Sequence, residues 1–211
     1  MTSKLSKTVL AALALLAAPV AYYNWTGFYA GINGGYASGT SNWTALPINN
    51  EPSGGLIGAT LGYNFQAGAL VYGLEGDWAW STVDTSTACG LGACESKQSW
   101  FGTARGRIGY AFDRLMPYLT GGAAFANLKA GITPGFGTVS STEIGWTAGV
   151  GFEYGFLGNW SAKIEYLYAD LGTFPCGTPC GVAVPNDVSF KENVIRAGLN
   201  YRFAGPIYSR Y

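Results

Sequence analysis

The sequence predicts an all-β chain, an eight-stranded antiparallel up-and-down transmembrane β-barrel, and three observations carry that prediction. A Tyr-x-Phe triplet recurs at Tyr63/Phe65, Tyr110/Phe112, Tyr154/Phe156 and Tyr201/Phe203, at intervals of 47, 44 and 47 residues. Alternate residues of a strand share a face, so each triplet sets two aromatics side by side. Short connections then alternate with long polar ones, as in an up-and-down barrel. Finally, the alternating segments keep aromatic and aliphatic residues on one face and charges on the other.

Taken in chain order, residues 1–21 read as an export signal. Lys4 and Lys7 precede an apolar stretch from Val9 to Ala18, too short to span a bilayer, which takes about 20 residues. Cleavage is expected after Ala21; the alternative is an N-terminal core helix. The barrel is expected over 22–203, with a C-terminal tail at 204–211. Its strands are predicted near 25–37, 54–66, 70–80, 97–112, 116–126, 142–156, 160–171 and 189–203. Short turns fall at Gln66–Ala69, Asp113–Met116 and Leu157–Asn159, and long Ser/Thr/Asn/Gly/Pro-rich loops at 38–53, 81–96, 127–141 and 172–188. Many of the strands reach the roughly 9–11 residues that a tilted strand needs to cross a membrane.

The last strand shows the two faces most clearly. Asn193, Ile195, Ala197, Leu199, Tyr201 and Phe203 fall on one side, against Glu192, Val194, Arg196, Gly198, Asn200 and Arg202 on the other. The seventh opposes Trp160, Ile164, Tyr166 and Tyr168 to Lys163 and Glu165; the sixth opposes Ile144, Trp146, Val150, Phe152 and Tyr154 to Glu143 and Glu153. The third sets Leu70, Tyr72, Leu74, Trp78 and Trp80 against Glu75 and Asp77, and the fourth sets Ile108, Tyr110 and Phe112 against Arg105 and Arg107. The fifth strand, Met116 to Ala126, is ambiguous by this test. The collected polar-face charges, Glu75, Asp77, Glu143, Glu153, Glu165 and Glu192 against Arg105, Arg107, Lys163, Arg196 and Arg202, nearly cancel.

Which face is wet follows from volume and solvation. Eight strands enclose a lumen only just wide enough to fill with side chains, and these aromatics would overfill it. Charges inward and paired, with rings outward into lipid, is the arrangement that fits. An Arg or Lys at mid-depth on the lipid face would cost about 2–4 kcal/mol, so a one-residue slip of the last strand is excluded. The aromatics also sit at two levels, as membrane interfaces favour.

Composition narrows the chemistry. The 211 residues include 12 Lys+Arg and 12 Asp+Glu, 32 glycines and no histidine. Zero formal charge argues against a strongly basic nucleic-acid surface. Without histidine there is no Ser-His-Asp or Cys-His triad and no His-ligated zinc. Glu75 and Asp77 share a face, where an acid/base pair could form; a lumen salt-bridge network with the arginines is the expected reading. Neither an enzyme nor a cofactor site is predicted, and no Gly-x-x-x-x-Gly-Lys phosphate loop occurs. Cys89 with Cys94 and Cys176 with Cys180 form two local pairs. Disulfides are expected in an exported protein, most simply within each pair, although four cysteines allow three connectivities. A zinc tetrathiolate is the sharper alternative.

The segments Tyr23-Asn24-Trp25-Thr26-Gly27-Phe28-Tyr29-Ala30-Gly31, Gly102-Thr103-Ala104-Arg105-Gly106-Arg107-Ile108-Gly109-Tyr110-Ala111, Pro117-Tyr118-Leu119-Thr120-Gly121-Gly122 and Arg196-Ala197-Gly198-Leu199-Asn200-Tyr201-Arg202-Phe203 resemble the small porin-family outer-membrane proteins of alphaproteobacteria, a group of surface antigens. The resemblance spans nearly the whole mature chain. It implies a location in the bacterial outer membrane, surface exposure and a part in envelope integrity; in some members it extends to pore formation or haem binding, which no shared active-site motif transfers here. It also implies that outer-membrane assembly machinery reads a terminal aromatic, Phe203 or Tyr211. Expected partners are therefore outer-membrane lipid and lipopolysaccharide, that machinery, and any surface ligand of the loops, with no nucleic acid. Two functional readings follow. One is a structural surface barrel with a side-chain-filled lumen; the other is a narrow pore or a loop-mediated binder of haem or a host molecule.

Overall fold

The computed structural model describes residues 23–43, 48–88, 93–133, 137–175 and 187–203. The predicted signal segment, the tail, Cys89, Cys176, Cys180 and Tyr211 lie outside the described residues, and Cys94 is placed by its backbone only, opposite Thr87.

Among the described residues ten strands run in chain order: β1 Gly27–Trp43, β2 Ile48–Asn50, β3 Ser53–Ala67, β4 Leu70–Ser81, β5 Asp84–Ala88, β6 Ala93–Tyr110, β7 Leu115–Thr133, β8 Gly137–Leu157, β9 Trp160–Pro175 and β10 Asp187–Arg202. Eight of them close the barrel. Sequence neighbours pair antiparallel from β1 and β3 through β4, β6, β7, β8 and β9 to β10, and β10 closes on β1 from Tyr29↔Arg202 to Trp43↔Val188. The remaining two, β2 and β5, are short hairpin arms on β1 and β6, inside stretches the sequence predicts as loop. The predicted 127–141 loop is likewise largely paired, since β7 and β8 stay in register up to Ile132↔Gly137. Gly, Asn and Asp, and to a lesser degree Lys and Ala, are depleted in strands, which is why these extensions escape a pattern-based reading.

At the opposite end the turns are tight. Ala67↔Leu70, Phe112↔Leu115 and Leu157↔Trp160 close two-residue loops. The first loop residue of each, Gly68, Asp113 and Gly158, has a positive φ of 62°, 54° and 50°. Such turns match the right-handed strand twist and favour glycine or aspartate.

The barrel is inside-out. Exposed on its outer wall are Leu74 (73%), Ile144 (68%) and both residues of the Tyr-x-Phe pairs at Tyr63/Phe65, Tyr154/Phe156 and Tyr201/Phe203, while Glu75, Arg105, Lys163 and Arg196 are buried. β7, ambiguous in sequence, turns Met116, Tyr118, Thr120, Ala124, Ala126 and Leu128 inward and Leu119 outward. Its inward residues are mostly uncharged, so parity alone could not tell the faces apart.

Candidate functional site

The lumen is filled in three storeys. Its middle storey is ionic. Eight of the eleven predicted lumen charges meet there: Glu75, Asp77, Glu153 and Glu165 with Arg105, Arg107, Lys163 and Arg196. Glu75, on β4, is the hub. It pairs with Arg105, with Arg107 at 3.3 Å and with Lys163 at 2.9 Å, and accepts the Tyr29 hydroxyl at 2.8 Å. Asp77 lies 2.6 Å from Arg105 and 2.9 Å from Arg196, and accepts from Thr60 at 2.7 Å and Thr103 at 2.9 Å. Glu165 holds Arg196 at 2.7 Å and Arg105 at 3.1 Å, with the Tyr118 hydroxyl at 2.9 Å. Arg107 spans to Glu153 at 2.6 Å, whose other oxygen accepts from Ser161 and Asn200.

The pairing follows from register. Glu75↔Arg105 and Asp77↔Thr103 face each other across β4 and β6, and Arg196↔Glu165 across β10 and β9. Inward residues at equal height are thus paired by the ladder itself, and long Arg side chains reach across the bore. Four acids against four bases leave no net charge. Buried ions gain stability only when every partner is present, and here each carboxylate has at least one basic partner within the network.

Three predicted members stand apart, which corrects the sequence reading. Glu143 faces inward near the upper end of β8, half-buried, in no ion pair among the described residues. Arg202 sits at the short-turn end with its guanidinium over the Tyr23 ring, 4.7 Å from the centroid. Glu192 is fully buried above the network; its Oε2 accepts from Gln98 Nε2 at 3.0 Å and its Oε1 has no partner among the described residues. All three lie on the inward face, but parity does not give height along the bore, which decides who meets whom.

Above the ionic storey the fill is mainly apolar, with Ser41, Ser81, Ser96, Gln98 and Glu192 as its buried polar members. Phe101, Leu128, Leu167, Leu171, Phe190 and Val194 pack there with several alanines. A bulge between Gln98 and Trp100 reverses the side-chain parity of β6, so that Ser96 and Gln98 face inward before it and Phe101, Thr103 and Arg105 after it, the effect a bulge has on a strand. Below the network Trp25, Val71, Ala111, Met116 and Tyr118 close the short-turn end, with Tyr23 packed against them. Trp25 is fixed by its indole N–H on the Asp113 carbonyl at 3.2 Å and its backbone N–H on Gln66 Oε1 at 2.7 Å.

Tyr29 and Tyr118 are network members the sequence reading did not single out. Both are out of phase with the lipid-facing residues beside them, Phe28 and Leu119, and that was the available signal. Each lies against a glycine: a Cβ at Gly62 would come within 2.4 Å of the Tyr29 ring, and one at Gly151 within 2.5 Å of the Tyr118 ring.

The height of Glu192 is fixed by its neighbours. Glu192 pairs with Ala169, and the adjacent Lys191 and Asp170 form a 3.6 Å ion pair on the outer wall. A lysine on that wall at the bilayer midplane would cost about 2–4 kcal/mol, falling to about 0–1 kcal/mol near the interface, so this part of β10 lies at the long-loop edge of the hydrocarbon and not within it. Burial pushes the Glu192 carboxyl up to about 7, against the smaller opposing effect of the Gln98 hydrogen bond.

Comparison with known proteins agrees with this geometry. The family model described as the outer membrane protein beta-barrel domain matches residues 8–203. The 31 kDa outer-membrane immunogenic protein of Brucella melitensis biotype 1 is 37% identical over 211 residues, covering 89% of this chain and 87% of that protein. The 25 kDa outer-membrane immunogenic protein of Brucella abortus biovar 1 is 35% identical over 181 residues, covering 86% and 80%. Among solved structures, the outer membrane protein OprG of Pseudomonas aeruginosa superposes with a TM-score of 0.52 at 12% identity, over 86% of this chain and 99% of that one; this likeness is one of fold.

Proposed function

This chain belongs to the outer-membrane β-barrel family and is a protein of the bacterial outer membrane, and from that premise we propose that it is a structural surface barrel contributing to envelope integrity, with a bore closed to steady ion flow. The observation that carries the reading is the three-storey fill: an apolar layer, a charge-balanced layer and an aromatic lower layer stacked in one lumen. An ion passing through would have to shed water in the apolar layer and displace paired charges below it.

The role is non-catalytic. The sequence has no histidine, and Glu75 and Asp77, neighbours on one face of β4, are both taken up by basic partners. Its partners are outer-membrane lipid and lipopolysaccharide around the apolar wall and the assembly machinery of that membrane. Phe203, 62% exposed on that wall and bonded through its N–H to the Phe28 carbonyl at 2.9 Å, is the described candidate for the assembly signal.

Planar-bilayer recording of the refolded chain tests the closed bore. Absence of steady conductance is expected; large reproducible channels whose selectivity changes on replacing Arg105 or Arg196 would overturn it in favour of a narrow pore. Loop-mediated binding of haem or a host molecule is a second reading. It is favoured by the continuous β5–β8 sheet, paired from Ala88↔Ala93 to Ile132↔Gly137 on the long-loop side, since recognition residues sit on loops carried by a rigid scaffold. Deleting residues 172–188 would abolish such binding while the barrel persists.

A further inference from the structure

We infer that Glu192 is a proton-binding site: as a neutral acid it closes the outer storey of the bore, and its ionisation loosens that storey. The inference rests on the closed-bore reading and adds to it a ligand and a condition.

Every basic group of the ionic storey is matched by an acid, and Glu192 is left over. It is fully buried, and among the described residues one oxygen has the Gln98 amide as its single partner and the other has none. The next inward charge on its own strand is Arg196, four residues along β10; on the adjacent β9 it is Glu165, four residues from its partner Ala169, and on β8 Glu143 lies towards the long-loop end. Arg196 is held by Asp77 and Glu165, and Glu143 is an acid. The inward residues of β1, β4, β6, β7 and β9 above the network are uncharged; the polar ones there are Ser41, Ser81, Ser96 and Gln98.

A buried carboxylate without a cation is strongly disfavoured. Its inward neighbours along β10, Phe190 and Val194, belong to the buried apolar cluster of the outer storey, and Glu192 itself is fully buried. A proton is the one counter-charge that needs no space. It is also a reversible one, because the group lies towards the long-loop end of β10, beside the wall pair Lys191 and Asp170.

Once the storey opens, water reaches the carboxyl and its acidity returns to the ordinary range. Opening therefore becomes easier as pH rises from that range towards neutrality, and no easier beyond it, when the closed form has also lost its proton. The paired strands β1, β9 and β10 would feel this first, at Gly39, Ala169 and residues 190–194.

The test is an infrared titration of the refolded full chain in liposomes, with Glu192→Gln and Glu143→Gln beside it. An unionised carboxyl band that persists well above the usual carboxyl range, is lost in Glu192→Gln and is kept in Glu143→Gln is the expected result. Hydrogen exchange at residues 190–194, taken as the ratio of wild type to Glu192→Gln at each pH, should rise about tenfold per pH unit and then level off near neutrality. A carboxyl already ionised at mildly acidic pH, or a flat exchange ratio, overturns the site while leaving the closed bore intact. If Glu192→Gln fails to refold, the wild-type infrared titration decides alone. Steady conductance at acidic pH would remove the closed bore itself, and the site with it.

Discussion

The middle and outer storeys of this bore are equally buried and oppositely built. In the middle, four carboxylates and four cations share hydrogen bonds with tyrosine, threonine, serine and asparagine. In the outer storey phenylalanine, leucine and valine do the filling, and Glu192 has a single amide for company. The contrast separates two tasks. A slip of one residue would throw the charges of the middle storey into lipid, so the network specifies register. An apolar layer is indifferent to which hydrophobe fills it, but it denies an ion any replacement for water. The middle storey therefore fixes the barrel and the outer storey seals it.

The sharpest way to break this division is to remove one partner from the network. Arg196→Ala leaves Asp77 and Glu165 each short of a cation, and a buried pair broken on one side costs about 3–5 kcal/mol. The midpoint of urea unfolding, followed by the heat-modified band on an unboiled gel, should fall accordingly, while planar-bilayer current stays absent. Current from Arg196→Ala alone would mean that the outer storey is no seal. Phe101→Ala is the complementary change, deleting a buried ring at a cost of about 3–5 kcal/mol. Exchange of amides at residues 167–171 should rise in this variant while those at 103–107 are unaffected; a uniform rise would show that the two storeys open together.

A somewhat smaller effect sharpens the comparison between bore and wall. Ile195 is 60% exposed and outward, next to the inward Arg196. Ile195→Arg should cost about 2–4 kcal/mol in a bilayer, and lipid-borne quenchers should reach a probe at 195 and miss one at 196. Equal quenching at both positions would contradict the inside-out wall.

How far the sequence revealed this arrangement depended on what each residue's pattern encodes. Arg196, Glu165 and Glu75 were legible because period-two alternation fixes the face, and a charge on a face otherwise rich in Gly, Asn and Val stands out. Height was not legible, and so Glu192, Arg202 and Glu143 were grouped with charges they do not meet. The outer seal was hidden for a different reason. Val194 shares a face with Glu192 and Arg196, and Phe101 shares one with Thr103 and Arg105, but an apolar residue among charges does not reveal that such residues stack into a layer; Leu128 falls in a stretch that reads as loop, and the inward turn of Ser96 and Gln98 depends on the bulge before Trp100, which no composition signal marks. Tyr29 and Tyr118 could have been found by asking which aromatics break phase with their neighbours.

The glycines opposite those tyrosines supply the next prediction. Gly151→Ala brings a Cβ within 2.5 Å of the Tyr118 ring, whose hydroxyl sits 2.9 Å from Glu165. Overpacking of this kind costs about 1–3 kcal/mol, and the urea midpoint should drop by less than in Arg196→Ala. Gly158→Ala also adds a methyl, yet nothing lies within 4 Å of its Cβ position; its cost comes from the positive φ of 50°, and Gly158→Asn should recover part of it. Recovery by asparagine at 151 would mean that backbone conformation, and not the ring, sets the effect there.

The smallest expected effect lies on the outer wall beside Glu192. Lys191 and Asp170 are 3.6 Å apart with side chains 48% and 22% exposed, and an exposed pair of this kind contributes about 0–1 kcal/mol. Lys191→Ala should therefore leave the urea midpoint nearly unchanged, and whatever difference exists should vanish in high salt, where exposed charges are screened. Glu192 is one residue away and meets no salt, so its influence on the outer storey should survive the same salt. A large, salt-sensitive loss in Lys191→Ala would show that the wall charge holds the inner carboxyl. The outer storey would then join the middle one as a charge-paired layer, and the contrast between seal and frame would disappear.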